Sequence, residues 1–322
     1  MCVNSKIIEN KKYIANNKNQ GLVPKLKYQE LKYTKTKCGW CMECRKEKAN
    51  DWRIRLLEEI KTNKNGHFVT LTFNDESYYK LAWECEGAGY ELENNIFTLA
   101  VRRFCERWRQ REKKAPRHWL INELGHENTE RLHIHGIIFT DEKNLIEKHW
   151  QYGNIYIGYE MNERCINYII KYVTKFDRQN PTFKSKILNS KGIGKGYINR
   201  YHNNDFKGKD TNLHYRTKSG HKIKLPEYYR KKIYSDDERE ELQVLNRYKD
   251  KTFIDGVMFD NKDEENIIRA LDTARNEMKR LGYREPDVGI KRIKKQKNNE
   301  KKFIKKFGIM EYMLYISRNK KI

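Results

Sequence analysis

Two histidines one residue apart carry the first sign of chemistry in this chain. His133 and His135 flank Ile134 in the segment LHIHGIIF, whose composition and length are those of a β-strand. Side chains two positions apart on a strand point to the same face. Both imidazoles would therefore face one way, and Ile134 would face a core on the other side. Two imidazoles on one face form half of a metal site, although a chance pair of histidines in a strand is the alternative.

A carboxylate can complete this site. Glu123 ends the preceding predicted strand, and residues 125–130 between the two strands are turn-like. A hairpin at that turn would bring Glu123 alongside the two histidines. Two imidazoles and one carboxylate leave open positions on a metal. This donor set suits Mg²⁺ or Mn²⁺ acting as a Lewis acid on a phosphate.

A second group of reactive side chains lies in the segment NYIIKYVTK at residues 167–175. At the α-helical period, its two tyrosines and two lysines fall on one arc, whereas the aliphatic side chains occupy another. The four polar residues are Tyr168, Lys171, Tyr172 and Lys175. A tyrosine stripe is more often the edge of a core, but here aliphatic side chains already supply the core stripe.

The chemistry that needs these groups together is transesterification of DNA. A phenol has an ordinary pKa near 10, so it is a weak nucleophile at neutral pH. A neighbouring ammonium group favours the phenolate, and a metal on the scissile phosphate stabilises the charge that develops in the reaction. The product would be a 5′-phosphotyrosyl bond and a free 3′-OH. Because bond energy is conserved, the same chemistry run in reverse rejoins DNA.

Hydrophobic periodicity predicts the elements that must position these groups. The order is helix, strand, helix, strand, strand, helix, strand, helix, which favours an α+β fold, an antiparallel sheet with helices packed on one face. A further helix, with Gly282 as its stop, follows in a basic, partly helical C-terminal region. The predicted helices are 43–61, 95–112, 141–150, 162–176 and 261–281, and the predicted strands are 67–73, 118–124, 132–139 and 154–159.

The charge balance indicates a polyanionic partner. Among 322 residues, 68 Lys and Arg stand against 44 Asp and Glu, a net charge of +24. Such a surplus favours nucleic acid as the partner. An AT-rich genome would explain Lys over Arg, but not the shortage of acidic residues. Residues 291–306 hold nine Lys or Arg and one Glu, as in a solvated or DNA-contacting tail.

Membrane and secretion signals are not found in the sequence. No segment approaches the ~20 apolar residues of a membrane span, and the first residues lack the apolar core of a signal peptide. We therefore expect a cytosolic protein with reduced thiols.

The cysteines form a candidate structural zinc site. Cys38, Cys41 and Cys44 are spaced C-x₂-C-x₂-C, a spacing that zinc favours. The fourth ligand is not evident from the sequence; Cys85, Cys105, Cys165 or a histidine are the candidates. Plain core or surface thiols are the alternative interpretation of all seven cysteines.

Taken in order, these motifs resemble a known family. LHIHGIIF resembles the His-hydrophobic-His motif of the HUH endonucleases, and FVTLTF, at residues 68–73, resembles the strand that precedes it. YIIKYVTK resembles the two-tyrosine Y-x-x-K-Y motif of rolling-circle initiators of small single-stranded DNA phages. CGWCMECRKEKANDWRIRL resembles a Cys-rich segment in the gokushovirus branch of the microviruses. The resemblance covers residues 38–176.

This resemblance implies a fold, a site and a biological role. The fold would be the HUH variant of a ferredoxin-like sheet at 38–176, between a basic N-terminal arm at 1–37 and a basic, DNA-binding region at 177–322. Tyr168 and Tyr172 would be the nucleophiles, His133, His135 and Glu123 the ligands of Mg²⁺ or Mn²⁺, and Lys171 and Lys175 auxiliary groups. The protein would nick the origin of a circular replicative DNA, stay linked to the 5′-phosphate, leave a 3′-OH for priming, and rejoin the displaced strand.

The same resemblance implies partners and leaves alternatives open. No Walker A pattern is found, so a bacterial host would supply the helicase and the DNA polymerase, and the protein would act in the host cytoplasm. Other HUH enzymes, such as a plasmid initiator or a transposase, are one alternative. A non-enzymatic, ferredoxin-like nucleic-acid-binding module is another, and a small zinc-stabilised binding protein is a third.

Overall fold

The structure of the chain is a computed structural model that describes six stretches of sequence. These are residues 2–125, 131–177, 183–200, 213–218, 220–246 and 251–283. The predicted turn at 126–130 and the basic run at 291–306 lie outside the described residues.

The chain divides into two compact units. One holds the described residues of 1–47, 176–182 and 230–322, and the other holds those of 48–175 and 183–229. The division into an arm, a catalytic domain and a basic region stays a prediction. The strands are β1 Lys6–Glu9, β2 Tyr33–Thr36, β3 Gly66–Leu71, β4 Arg117–Leu124, β5 Leu132–Phe139, β6 Ile155–Glu160, β7 Ile187–Asn189, β8 His214–Arg216, β9 Lys222–Lys224, β10 Lys251–Ile254 and β11 Val257–Asp260. The helices are α1 Met42–Thr62, α2 Asp75–Glu84, α3 Gly89–Glu112, α4 Asn144–His149, α5 Glu163–Thr174, α6 Gly196–Arg200, α7 Glu227–Ile233, α8 Asp236–Leu245 and α9 Glu264–Arg280.

A five-stranded antiparallel sheet forms the centre of the second unit. Its order is β6-β3-β5-β4-β7, and every neighbouring pair is antiparallel. The chain runs through β3, α3, β4, β5, α4 and β6, which is the β-α-β-β-α-β succession of a ferredoxin-like fold. The predicted α+β class and ferredoxin-like sheet are therefore confirmed.

One face of this sheet is covered by the long helix α3 together with α2 and α4. The apolar stripe of α3 includes Phe97, Val101, Phe104 and Trp108, as the periodicity predicts. These side chains pack in one cluster with sheet residues such as Ile134. Ile134 is fully buried there, which confirms that it points away from the two histidines.

Helices also cover the other face, where the sequence analysis placed them on one face only. Residues of α1 and α5 pack against Trp119, Ile121 and Ile137 of the sheet. The reason is visible in β5, where Ile137 and Ile138 are both fully buried although they point to opposite faces. Both faces of the sheet are apolar at this end, so both need a helical layer.

Two further details differ from the predicted elements. Helix α2 was not predicted, because it buries Leu81 and leaves Tyr79 and Trp83 exposed, so it has no apolar stripe. Helix α3 begins at Gly89 rather than near residue 95. The helix predicted at 261–281 is confirmed as α9, and Gly282 follows it with a φ of 88°, a value that favours glycine.

The first unit has a small core of its own. Its strands form two hairpins, β1 with β2 and β10 with β11. Val3, Trp40, Ile254, Ile267 and Leu271 are buried together in this unit. Among the residues that the structure describes, no helix combines the length and the apolar character that a membrane span requires.

Candidate functional site

The antiparallel pairing of β4 with β5 brings the predicted carboxylate to the histidines. Glu123 lies directly opposite His133, and Ile121 lies opposite His135. Partners in such a ladder project to the same face, so Glu123 shares the face of both imidazoles. Gly136 makes this pairing close, because a Cβ there would lie 2.3 Å from the carbonyl oxygen of Trp119.

Each histidine is anchored through its Nδ1 atom. Nδ1 of His133 lies 2.7 Å from the carbonyl oxygen of Arg131, to which it can donate a hydrogen bond. Nδ1 of His135 lies 3.1 Å from Oγ1 of Thr70 on β3. The two rings are nearly parallel, 12° apart, with centroids separated by 6.5 Å. Such anchors leave Nε2 as the ligand atom of each ring and fix the ring orientation.

Glu123 joins the histidines to the helix above them. Its Oε2 lies 3.0 Å from Nε2 of His135, and its Oε1 accepts a hydrogen bond from Nζ of Lys175. Burial alone would raise the pKa of Glu123, but the hydrogen bonds from His135 and Lys175 outweigh it and hold the pKa below its usual value. The group is therefore a carboxylate at neutral pH.

The donor set of this site fits a divalent cation. Burial lowers the pKa of His133, so its ring is neutral and able to act as a ligand. His135 and Glu123 add an imidazole and a carboxylate on the same face. Among the described residues, however, only four cysteines bring three or more potential ligand atoms within 4.8 Å of one another. The histidines and Glu123 are thus adjacent, and Lys175 competes for the carboxylate.

Helix α5 supplies the remaining candidate residues. Asn162 caps its first turn by accepting a hydrogen bond from the backbone N–H of Cys165. Its predicted aliphatic stripe is buried against the sheet face that carries the histidines. That stripe comprises Ile166, Ile169, Ile170 and Val173. This packing holds the opposite arc, with Tyr168 and Lys171, at the edge of the site.

The two tyrosines of α5 differ in environment. Tyr172 is only 7% exposed, and its ring stacks on His135 with centroids 4.1 Å apart and planes 9° apart. Tyr168 is 50% exposed and accepts a hydrogen bond of 3.2 Å from the hydroxyl of Tyr172. The sequence analysis placed both on one presented arc, but the sheet covers one of them.

Electrostatics separates the tyrosines further. The hydrogen bond from Tyr172 and then Lys171 lower the pKa of Tyr168. Nζ of Lys171 lies 3.6 Å from the ring centroid of Tyr168. Burial and the hydrogen bond to Tyr168 raise the pKa of Tyr172. Tyr168 is consequently the exposed phenol whose anion is favoured, and Tyr172 is its hydrogen-bond donor.

Sequence reasoning missed three contributors to this site. Thr70 holds His135, and its signal was the polar position between Val69 and Leu71 in a strand. Tyr156 on β6 pairs with Thr70, so it projects to the same face, where it is 60% exposed. The carbonyl of Arg131 holds His133, and no residue type could have signalled a backbone group.

The predicted cysteine cluster is assembled in the first unit. Cys38, Cys41 and Cys44 lie together, and Cys2 joins them. Cys85, Cys105 and Cys165, which were candidates for the fourth position, belong to the second unit and are not in this group. All seven thiols are free in the structure.

Comparison with known proteins agrees with this site. A family model of replication-associated proteins of the ORF2 type matches residues 66–177, the stretch that contains the histidines, Glu123 and α5. The chain is 24% identical over 195 residues to replication-associated protein VP4 of Bdellovibrio phage phiMH2K, which covers 52% of this chain and 59% of that protein. It is 27% identical over 222 residues to replication-associated protein ORF2 of Spiroplasma virus 4, which covers 61% of this chain and 67% of that protein.

The chain thus spans about three fifths of the first of these relatives and two thirds of the second. No solved structure matches it significantly. The family model and both phage relatives agree with the resemblance of the His-x-His and two-tyrosine motifs. The chain belongs to the microvirus-type family of rolling-circle replication initiators.

Proposed function

We propose that this chain nicks and rejoins DNA through a covalent tyrosine intermediate, and that Tyr168 is the first nucleophile. The supporting observation is the convergence of two sequence motifs on one face of the sheet. His133, His135 and Glu123 project from β5 and β4, while Tyr168 and Tyr172 project from α5 over the same face.

In the first step, the phenolate oxygen of Tyr168 attacks the phosphorus of the scissile phosphodiester. The bond from phosphorus to the 3′ oxygen breaks, and a bond from phosphorus to the tyrosine oxygen forms. The phenol proton passes through solvent, and the departing 3′ oxygen takes up a proton to become a 3′-OH. Tyr172 and Lys171 favour the attacking anion.

In the reverse step, a 3′-OH attacks the 5′-phosphotyrosine and releases the tyrosine. Tyr172 lies within hydrogen-bond distance of Tyr168, so it can serve as a second acceptor once the helix or its own side chain exposes it. One tyrosine would then hold DNA while the other cleaves, as the joining of a displaced strand requires.

His133, His135 and Glu123 would hold the divalent cation, Mg²⁺ or Mn²⁺. When bound, that cation would act as a Lewis acid on the scissile phosphate. Thr70 and the Arg131 carbonyl orient the imidazoles. Lys175 is the ionic partner of Glu123, and it can shift to a phosphate oxygen when the carboxylate engages the cation.

The substrate would be the origin of a circular viral DNA, nicked in the replicative form and rejoined after strand displacement. The net charge of +24 suits such a polyanion. Nicking would leave a 3′-OH primer, and the helicase and polymerase would come from the bacterial host, in whose cytoplasm the protein would act. The region at 177–322 would add DNA-binding surface.

The proposal is tested with purified protein, Mn²⁺ or Mg²⁺, and labelled single-stranded DNA that carries the cognate origin. A protease-sensitive adduct that survives SDS and is lost in EDTA is expected. The variant with Tyr168→Phe and Tyr172→Phe should bind DNA without forming it, and His133→Ala should fold but not cleave. Adduct in the double tyrosine variant, or salt-sensitive binding by wild type without any adduct, would contradict the proposal and favour a non-enzymatic binding module.

A further inference from the structure

Four cysteines converge in the first unit, which does not contain the residues proposed for DNA cleavage. Cys2 precedes β1, Cys38 follows β2, and Cys41 and Cys44 lie at the start of α1. The antiparallel pairing of β1 with β2 places Lys6 opposite Thr36, so the chain just outside the hairpin brings Cys2 to Cys38. This pairing joins residues that are far apart in sequence.

The sulfur positions match a tetrahedral metal centre rather than disulfides. Sγ of Cys38 lies 3.9 Å from that of Cys44, and Sγ of Cys2 lies 3.9 Å from that of Cys41. A disulfide needs about 2.05 Å between its sulfur atoms. Four thiolates about 2.3 Å from one zinc ion would lie about 3.8 Å apart. All four Sγ atoms lie within 4.8 Å of one another.

Backbone amides surround the sulfur atoms as they would surround thiolates. The N–H groups of Cys38, Cys41 and Cys44 donate to Sγ of Cys2, Cys38 and Cys41, at 3.3, 3.3 and 3.4 Å. Gly39, with a φ of 78°, forms the turn that this pattern requires. Such hydrogen bonds to ligand atoms are the outer contacts that orient a metal site.

The group is also enclosed by apolar side chains. Cys41 and Cys44 are buried in one cluster with Trp40, Ile267 and Leu271, and Cys2 and Cys38 pack against it. The buried Arg275 donates a hydrogen bond of 3.3 Å to the carbonyl of Val3, the residue after Cys2. This environment limits access of water and suits a structural metal with no open position.

We propose that Cys2, Cys38, Cys41 and Cys44 bind one structural Zn²⁺ as a tetrathiolate and so tie the N-terminal segment to the start of α1. Binding displaces the thiol protons into solvent and changes no oxidation state. The ion closes the loop between Cys2 and Cys38 and stabilises the first unit. Cys2 is the ligand that distinguishes this site from the three-cysteine motif.

The experiment measures metal in the full-length protein with a C-terminal tag, so that nothing precedes the N-terminal segment. His133→Ala and His135→Ala are introduced in every sample to remove the other candidate metal ligands. Zinc per chain is measured by mass spectrometry in this background, with Cys2→Ser, and with Cys85→Ser as the matched control. Cobalt exchange then reports the sulfur ligands, because only thiolates give intense sulfur-to-cobalt charge-transfer absorption.

We expect about one zinc per chain in the background protein and in Cys85→Ser. The background protein should also give the cobalt spectrum of a tetrathiolate. Cys2→Ser should lose zinc affinity at least ~10-fold and give the weaker charge transfer of three thiolates. If Cys2→Ser does not fold, the cobalt spectrum of the background protein still counts the thiolates.

Three results would overturn the proposal. They are an absence of zinc in the folded background protein, bound iron in place of zinc, and a cobalt spectrum unchanged by Cys2→Ser.

Discussion

At the scale of single residues, the two tyrosines of α5 are unequal partners. Tyr168 is exposed and close to Lys171, whereas Tyr172 is buried and stacked on His135. The helical wheel correctly grouped the tyrosines and lysines, because that grouping depends only on the helical period. It could not separate Tyr168 from Tyr172, because the difference arises from the sheet beneath them.

Single substitutions should expose this inequality. Tyr168→Phe removes the favoured phenolate and should lower the rate of adduct formation in the first turnover at least ~100-fold. Tyr172→Phe keeps the stacked ring but removes one hydrogen bond worth about 1 kcal/mol, so the same rate should fall about 5-fold. Rapid-quench measurements on labelled origin DNA would report both rates. Equal losses in the two variants would contradict the assignment of Tyr168 as first nucleophile.

Lys171 should control the pH dependence of nicking. Its ammonium group and the hydroxyl of Tyr172 lower the pKa of Tyr168, so the reactive anion exists at lower pH than in an ordinary phenol. Lys171→Met should raise that pKa and slow nicking at neutral pH. The deficit should narrow as pH rises and the phenol ionises without help.

The measurement for Lys171 is a pH-rate profile of single-turnover nicking, with the exposed Lys64→Met as the control for charge alone. The control should keep the wild-type profile. A Lys171→Met deficit of constant size across the pH range would mean that Lys171 acts by binding DNA rather than through Tyr168.

At the scale of elements, the sequence predicted those parts of the fold that rest on local periodicity. Strands β3 to β6 and helices α1 and α5 lie within a few residues of their predicted bounds. Helix α2 escaped because it buries little, and the second helical layer escaped because local periodicity does not reveal which face of a sheet a helix covers. The pairing of Glu123 with His133 was predictable because a short turn favours an antiparallel hairpin.

Gly136 should be essential to that pairing. A Cβ at this position would meet the Trp119 carbonyl at 2.3 Å and push β5 away from β4. Gly136→Ala should lower the free energy of unfolding by about 2–3 kcal/mol and displace His135 from Thr70. Gly158→Ala is the matched control, because its Cβ would meet only a side-chain atom of Phe68 at 3.3 Å.

Urea unfolding followed by circular dichroism would compare these two variants. Gly158→Ala should change the free energy of unfolding by less than about 1 kcal/mol. Wild-type stability in Gly136→Ala would show that β5 can move without cost, which would contradict the close pairing.

At the scale of the whole molecule, charge and long-range assembly matter most. The charge predicted a polyanionic partner from composition alone. The fourth cysteine was not predictable, because Cys2 reaches Cys38 only through the pairing of β1 with β2. Composition is therefore informative about partners, while contacts between distant segments need the folded chain.

Binding of single-stranded DNA should be strongly salt-dependent. If about five phosphates are neutralised, the logarithm of the association constant should fall with the logarithm of salt concentration with a slope of about −3.5. Fluorescence anisotropy with the double tyrosine variant would measure this without cleavage. A slope near zero would show that the positive charge does not face DNA.

The measurement that tests the central claim most directly is identification of the residue that carries the DNA. The covalent complex with the origin is digested with nuclease and trypsin and examined by tandem mass spectrometry. Trypsin cleaves after Arg164, Lys171 and Lys175, so Tyr168 and Tyr172 fall in separate peptides, 165–171 and 172–175. We expect the nucleotide on Tyr168 in the first turnover. A nucleotide on any residue outside α5 would contradict the account.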